Sequence, residues 1–590
     1  MKNWMLRNNK VNVEKMAEAL RISPVMAQVL ANRGIGTFKS AKKFIFPNLS
    51  DMYDGYLFED MKKGIDLINE AIDEGTKISI YGDYDVDGVM SSVILYKSIK
   101  YFTNNVTYYV PHRQKEGYGI NCDSINELYG EGVRMIVCCD NGITAVEEAK
   151  LIKQLGMKFI ILDHHEPAFV EAETERSDVL PDADAIIDHK RKTCTYPFKS
   201  LCAGGMSYKF SQLLFESRKA EFLHRDEALV FAAIATICDI VDLLDENRII
   251  AKLGLEIIKN SSNIGLKALI EETGLEQIEK ITEYHIGFVI GPCINATGRL
   301  ESAKSAIELF LTDDVKKAKE LSLELATLNN SRKNMTLKAV KECVEIAQND
   351  ESRVLVIYNE NVHESIAGIV AGRIKEKFYK PTIVITSGDE MAKGSARSID
   401  GYNIFEEMFK VKDIFHKFGG HPMAAGLSLS KESIDVLRRR LNENCKLTKE
   451  QLIQDIRLDK ALNISEINMD LAKELSILAP FGKENPMPLF GTKNMFAEKI
   501  TLIGKDKNII KMSLRDKETG ARIEGIDFNN YSQFVSELTD IFGEEEANQV
   551  LQGLLPLYLD LVYGISINEF FGRKTVQLII KDFRLMGGKG

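Results

Sequence analysis

Three aspartates stand within five residues in the run Tyr81-Gly82-Asp83-Tyr84-Asp85-Val86-Asp87-Gly88. Carboxylates so crowded repel one another and pack poorly in a core; the chemistry that suits them is the seating of hard divalent cations. Two further polar clusters answer this one from a distance, Cys139-Asp140-Asn141-Gly142 and Asp163-His164-His165. One such motif is a weak signal, but three in matching context point to a single site. An EF-hand loop counted from Asp83 would need a glutamate at its twelfth position, and Ile94 stands there inside an apolar stretch, so that calcium reading fails. Aspartate with histidine and no cysteine ligand favours Mn²⁺ or Mg²⁺, with imidazole tilting the choice to Mn²⁺. Two such ions about 3.5 to 4 Å apart polarise a phosphate, activate water and steady the leaving oxygen, which is the chemistry of phosphodiester hydrolysis. The pair His164-His165 is best read as one ligand and one donor facing the phosphate.

These clusters need a scaffold that brings them to one place. Lys77 to Tyr81, Val133 to Cys139 and Lys158 to Leu162 are apolar runs of strand length, each delivering one polar cluster. Helical patterns lie between them at Val89 to Phe102 and from Thr144, a candidate cap, to about Leu155. This β-α-β-α-β rhythm, with a strand also at Val106 to Val110 and another candidate at Ala185 to Ile187, predicts a doubly wound parallel sheet with the acidic turns side by side at one edge. Glu227 to Cys238 is strongly apolar and ends at Asp239, which solvation alone explains poorly, so Asp239 is placed at the same edge. His189-Lys190-Arg191-Lys192 reads as a solvated basic face, and Ala203-Gly204-Gly205-Met206 opens a small-residue helix.

The chain has 590 residues, too many for one core. Ordinary hydrophobic and charged fractions leave no large disordered share, and no apolar run has the length and lack of charge of a membrane span. With no signal-like start, a cytoplasmic location is expected. Nine cysteines without a Cys-x-x-Cys pair read as reduced, mostly buried residues and exclude a disulfide frame or a zinc site. The net charge of −10 argues weakly against a nucleic-acid partner, but bound cations would reverse the local sign at an acidic edge.

Beyond the first sheet, Asn295-Ala296-Thr297-Gly298-Arg299-Leu300 reads as a tight turn presenting one arginine. Val315 to Ala347 has no glycine or proline and keeps helical spacing, so it predicts one long strut of about 45 to 50 Å. A second α/β unit follows, with strands at Val354 to Tyr358 and Thr382 to Ile385 around a helix from Ser365 to Phe378. Its glycine-rich stretches Lys393-Gly394-Ser395-Ala396-Arg397 and Gly419-Gly420-His421 allow backbone N–H groups to approach an anion, with Ser395, Arg397 and His421 as side-chain donors. From Pro480 onward, short alternating strands with a helical insert near Tyr531 to Gln552 predict a small β-barrel.

The motifs GDYDVDG, DNG, DHH and GGHPMAAG resemble the DHH phosphoesterase superfamily. With PHRQKEGYG, ATGRL, KGSAR and PFGKENP in that order, the chain from about Gly82 to its end is similar to the RecJ family of single-strand-specific 5′-to-3′ bacterial exonucleases. The resemblance implies a catalytic DHH domain with two Mn²⁺ or Mg²⁺ ions, a connecting helix, a DHH-associated domain and an oligonucleotide-binding (OB-fold) barrel. Carried over motif by motif, it implies Asp85, Asp87, Asp140, His164 and Asp239 as metal ligands, Asp83 acting behind them, and His165 facing the scissile phosphate. It further implies phosphate contacts from Arg299, Ser395, Arg397 and His421, the first three near the 5′ end, and an entrance narrowed by Arg113 and Tyr118, where bases stack. Two departures stand out: Asp188-His189-Lys190 replaces the family's usual histidine or asparagine before proline, and Val89-Met90 is more apolar than is common. Neither removes a ligand.

The expected division is 1–55 lead-in, 56–305 DHH domain, 306–348 connecting helix, 349–448 DHH-associated domain and 449–590 OB-fold barrel. The expected activity is hydrolysis of single-stranded DNA to mononucleotides in recombination and repair, by a monomer working with a helicase and a single-strand-binding protein and with no membrane partner. Two rivals remain, a DHH phosphodiesterase for oligoribonucleotides or cyclic dinucleotides, and an inactive DHH replication scaffold. The barrel argues against the first and the intact ligand set against the second.

Overall fold

The computed structural model of the protein describes residues 2–113, 115–171, 176–388, 391–570 and 572–586. Its chain forms two compact units, one of 53–241 and 253–454, the other of 2–52, 242–252 and 455–590.

In the first unit, five parallel strands lie in the order Val106–Tyr109, Ile78–Tyr81, Met135–Cys139, Lys158–Leu162, Ala185–Ile187. Helices cover such sheets on both faces, which is why Ile78–Tyr81 and Met135–Cys139 are buried along their whole length. Tyr81 pairs beside Cys138, Cys138 beside Ile161, and Leu162 beside Ile187. The residues that follow each strand therefore emerge at one edge. From Ile78–Tyr81 the chain goes outward to Val106–Tyr109 and then back across to Met135–Cys139, so the strand order reverses there, and ligands bind at such a crevice.

The helix Val86–Lys100 starts inside the acidic run, earlier than its spacing predicts. Asp85 caps it, its carboxylate accepting from the N–H groups of Asp87 (2.9 Å) and Gly88 (3.1 Å), and aspartate is among the strongest N-caps. Gly88 is needed for close approach, since a Cβ there would lie 2.4 Å from the carbonyl oxygen of Asp83. Thr144 does not cap its helix, which begins at Val146 without a side-chain cap.

The long helix Val315–Ala347 is capped by Asp314 and is more than a strut. Its N-terminal half buries Ala318, Leu321 and Leu325, and its C-terminal Ala339, Cys343 and Ala347 join a core with Leu355, Ile357, Val370 and Ile374. The second sheet runs Lys417–His421, Ala424–Leu429, Ala392–Arg397, Thr382–Thr386, Leu355–Tyr358, antiparallel except for the last pair.

In the other unit, Phe490–Ile503, Ile509–Arg515, Arg522–Asp527, Arg573–Leu585 and Leu557–Phe570 pair in turn, and the last pairs back with the first to close a five-stranded barrel. Three of these strands are 13 to 14 residues long, not short. Register shifts at Ala497/Lys499, Thr492/Met495 and Val562/Tyr563 bend them so that one strand can serve two neighbours. The first fifty residues are integral to this unit rather than a lead-in. Asn3–Leu6 pairs in parallel with Asp455–Leu458, and Met26, Val29, Leu30 and Phe44 share one apolar cluster with Leu471, Phe490 and Leu561.

Candidate active site

Each acidic cluster reaches the sheet edge by a different local device. Asp87 is fully buried and accepts from the backbone N–H groups of Ala203 (2.8 Å) and Gly204 (2.7 Å), at the start of the helix Ala203–Ser217. The positive end of that helix steadies its charge. Gly204 makes the approach possible, because a Cβ there would lie 2.5 Å from that of Ala235 and 3.1 Å from the Asp87 carboxylate. Asp140 sits in a left-handed turn, φ 64°, directly after its strand. Asp239 ends the helix Arg225–Cys238.

These groups converge on the Nε2 atom of His164, which lies 3.1 Å from Asp140, 3.6 Å from Asp87 and 3.8 Å from Asp239. Three triads each bring one ligand atom per residue within 4.8 Å of the others: Asp87, His164 and Asp239; Asp83, Asp85 and Asp140; Asp140, His164 and His165. Each of these groups could hold a cation; Asp140 belongs to the last two and His164 to the first and the third.

Electrostatics show what this cluster lacks. Burial, then repulsion from Asp85, pushes Asp87 up to about 6, and burial with Asp87 and Asp85 pushes Asp239 up to about 8. Burial first and neighbouring carboxylates second hold Asp83 and Asp140 well above the usual carboxylate range. The Oδ1 atom of Asp83 has no hydrogen-bond partner among the described residues. Burial and the adjacent His165 hold His164 well below its ordinary value, which favours the neutral imidazole that a metal ligand requires. Several hard oxygens, one neutral imidazole and uncompensated negative charge fit a pair of divalent cations.

Asp163, which its motif places beside the histidines, takes a different role. Its carboxylate accepts from the N–H groups of Ile143 (2.9 Å), His164 (2.8 Å) and His165 (3.2 Å), and meets Nδ1 of His165 at 2.7 Å. Burial alone would raise Asp163, but His165 outweighs it and holds the carboxyl far below its usual range. In return, Asp163 overcomes the burial of His165 and lifts that imidazole to about 9. The result is a charged ring oriented by a buried carboxylate.

A cleft of about 520 Å³ contains Arg113, Arg299, Ser395 and Arg397, together with Lys393 and Lys417, which sequence reasoning missed. Lys393 pairs with Glu364 at 2.7 Å. Arg113 stacks over the Tyr84 ring at 5.0 Å, which links the cleft to the acidic run. Arg299 donates to the Ser365 carbonyl (2.9 Å), and Arg397 to the Ser395 hydroxyl (3.2 Å). Burial and then the proximity of Arg113 lower Arg299 to about 10; cations that crowd each other so closely await an anion. Gly368 leaves the room they need, since a Cβ there would lie 2.8 Å from the Arg397 guanidinium and 2.9 Å from the Ser395 hydroxyl.

Arg299 is not in a turn. It lies in the last turn of the helix Gly291–Leu300, and Gly298 serves contact rather than curvature, for a Cβ there would be 2.4 Å from the Tyr84 carbonyl oxygen. Tyr118 belongs to the acidic edge. Its hydroxyl donates to the Asp140 carbonyl (3.0 Å) and lies 3.3 Å from the His165 ring, while the residue remains 53% exposed. His421 is exposed near the end of its edge strand and does not line the cleft. The basic run after Asp188 is not a solvated face: His189 is buried with Nε2 2.9 Å from the Leu201 carbonyl oxygen, and Arg191 bonds to the Ile186 carbonyl (2.6 Å), Asp60 (3.2 Å) and Glu59 (3.1 Å). Asp188 is itself buried at this edge, raised to about 8 by burial and Asp163.

Comparison with known proteins follows the same lines. Residues 77–236 match the DHH family N-terminal domain, 351–447 the DHHA1 domain, and 458–582 the RecJ OB domain. The chain is 36% identical to the single-stranded-DNA-specific exonuclease RecJ of Bacillus subtilis, over 98% of this chain and 70% of that one. It belongs to the RecJ family. The Haemophilus influenzae RecJ is 30% identical over 88% of this chain and 90% of its own. RecJ of Thermus thermophilus, whose crystal structure holds Mn²⁺, shares the fold with a TM-score of 0.81 at 23% identity, covering 99% of this chain and 80% of that one. A second RecJ structure bound to manganese is 27% identical, with a TM-score of 0.59 over 69% of this chain and 98% of that one.

Proposed function

We propose that this RecJ-family chain is a single-stranded-DNA-specific exonuclease that works from the 5′ end and releases mononucleotides. The observation that carries the reading is the junction of two unlike sites in one unit: a carboxylate and imidazole cluster that could hold cations, and a cation-lined cleft joined to it through Tyr84 and Arg113. A cleft of fixed positive charge beside the reacting centre suits a terminal phosphate and so an exonucleolytic cut, and the 5′ polarity is taken from the RecJ family. When bound, two Mn²⁺ or Mg²⁺ ions supply Lewis acidity and charge neutralisation at the phosphodiester.

Asp85, Asp87, Asp140, His164 and Asp239 hold these ions in this reading, with Asp83 completing the cage from behind. Asp163 keeps His165 protonated and aimed, so that His165 donates to the scissile phosphate and stabilises charge as it builds. Arg299, Ser395 and Arg397 take the terminal phosphate, while Arg113 and Tyr118 confine the strand beside it. The DHH domain spans 56–305, the DHH-associated domain 349–448, and the barrel of 449–590 is a binding domain for single-stranded DNA. Nine unpaired cysteines suit the reducing cytoplasm. There the monomer would act in recombination and repair, on strands opened by a helicase and covered by a single-strand-binding protein.

The test is a digestion panel of 5′- and 3′-labelled single and double strands with and without Mn²⁺. Mononucleotides released only from the 5′ end of single strands, and only with the metal, are expected. Equal cutting of duplex, or release from the 3′ end, would contradict the reading.

A further inference from the structure

Glu283–Leu300 is one uninterrupted helical run, α-helical at both ends with a π-helical turn at Ile286–Ile290. Such turns are uncommon and frequently mark functional sites. This one is wedged in place: the Ile286 carbonyl accepts from the Cys238 thiol (3.8 Å), and a Cβ on Gly291 would lie only 2.4 Å from that sulfur. The run is thereby locked to the end of the helix Arg225–Cys238, one residue before Asp239.

The same run presents Tyr284 and Phe288 to solvent, 61% and 64% exposed, with ring centroids 5.0 Å apart and planes at 26°. Ile240, just after Asp239, is 69% exposed and held at φ 56°, a conformation that a β-branched residue adopts only under constraint. Single exposed apolar side chains are ordinary. A stacked pair of rings on a helical bulge, pinned by a thiol next to a proposed metal ligand, is not.

The far end of the run carries Arg299 into the cation-lined cleft. From Tyr284 to Arg299 the helical rise amounts to about 20 Å. A strand with its terminal phosphate in the cleft would come level with the rings roughly three to six nucleotides later, at about 3.4 Å per nucleotide when stacked and near twice that when extended.

We propose that Tyr284 and Phe288 form a stacking platform for a base of the single-stranded substrate, roughly three to six nucleotides from its 5′ end. The inference rests on the exonuclease reading above and adds a base-binding position to it. Stacking on aromatic rings accepts any base, as a nuclease without sequence preference requires.

The experiment compares kcat/KM on thymidine dinucleotides and on twelve-nucleotide oligothymidylate, for the native chain, a Tyr284→Ala/Phe288→Ala double variant, and a ring-for-ring Tyr284→Phe/Phe288→Tyr exchange. The alanine variant should lose about tenfold more on the longer substrate than on the dinucleotide, chiefly through KM, and the exchange should restore it. A loss by the same factor at both lengths, or at neither, overturns the platform. Should the native chain cut neither substrate, the exonuclease reading itself falls and the platform with it.

Discussion

At the scale of single residues, the site trades stability for chemistry. Asp87 and Asp140 are buried and Asp239 half-buried among like charges, and each is raised above the ordinary carboxylate value. Removing one of them should relieve repulsion in the metal-free protein while destroying the cation site. Asp140→Asn is expected to lower kcat by about a thousandfold or more, yet to raise the melting temperature of the metal-free chain; a fall in both would argue that Asp140 serves the fold and not the ions. The pH dependence follows from the same shifts. Asp239 and Asp188, at about 8, and His165, at about 9, hold protons in the folded chain that the unfolded chain has released. Stability is therefore lost as pH rises, from about 4 to about 8 for the two aspartates and from about 6.5 to about 9 for His165. Metal-free protein should melt lower at the upper end of that window, and the gain on adding Mn²⁺ should grow with pH, because protons and cations compete for the same oxygens. A metal-free melting temperature that stays level across the window would count against this electrostatic description. In the cleft, Gly368→Ala should displace Arg397 and raise KM for 5′-phosphorylated strands about tenfold with a smaller effect on kcat; unchanged KM would free Arg397 from its proposed role.

At the scale of elements, legibility followed the range of the interactions involved. The strands ending at Tyr81, Cys139 and Leu162 and the helix Val315–Ala347 could be read because their patterns are local. Asn295–Leu300 misled because Asn, Thr and Gly usually mark turns, whereas here a glycine makes room for the Tyr84 backbone. His189 and Arg191 misled because charge suggests solvent, while Arg191 is buried against Glu59 and Asp60, about 130 residues away in the chain. The metal cluster was legible by type and spacing, but the orienting part of Asp163 depends on four contacts that no spacing displays. Buried Arg248 is a similar case, donating to the carbonyls of Phe44, Ile477, Leu478 and Ala479. Arg248→Ala should destabilise the barrel-containing unit by about 3 kcal/mol or more, since it leaves those acceptors unpaired; equilibrium denaturation showing less than half that loss would mean water replaces the guanidinium at no great cost.

At the scale of the whole molecule, the segments of the second unit lie at both ends of the chain and in between. No periodicity in Asn3–Leu6 could name Asp455–Leu458 as its partner, so the first fifty residues read as a lead-in and not as part of the barrel's core. Deleting 455–590 alone would bare Met26, Val29, Leu30 and Phe44. Such a truncation should aggregate more than one that also lacks 2–52, and equal solubility of the two would contradict the shared core. The proposed activity needs cations seated by groups from four separate stretches of sequence. Its most direct test is a count of Mn²⁺ bound per chain at neutral pH, by titration followed with electron paramagnetic resonance, in the native protein and in Asp140→Asn. Two tight ions in the native chain, with at least one lost in the variant, are predicted. One ion or none in the native chain, or the same pair in the variant, would contradict it.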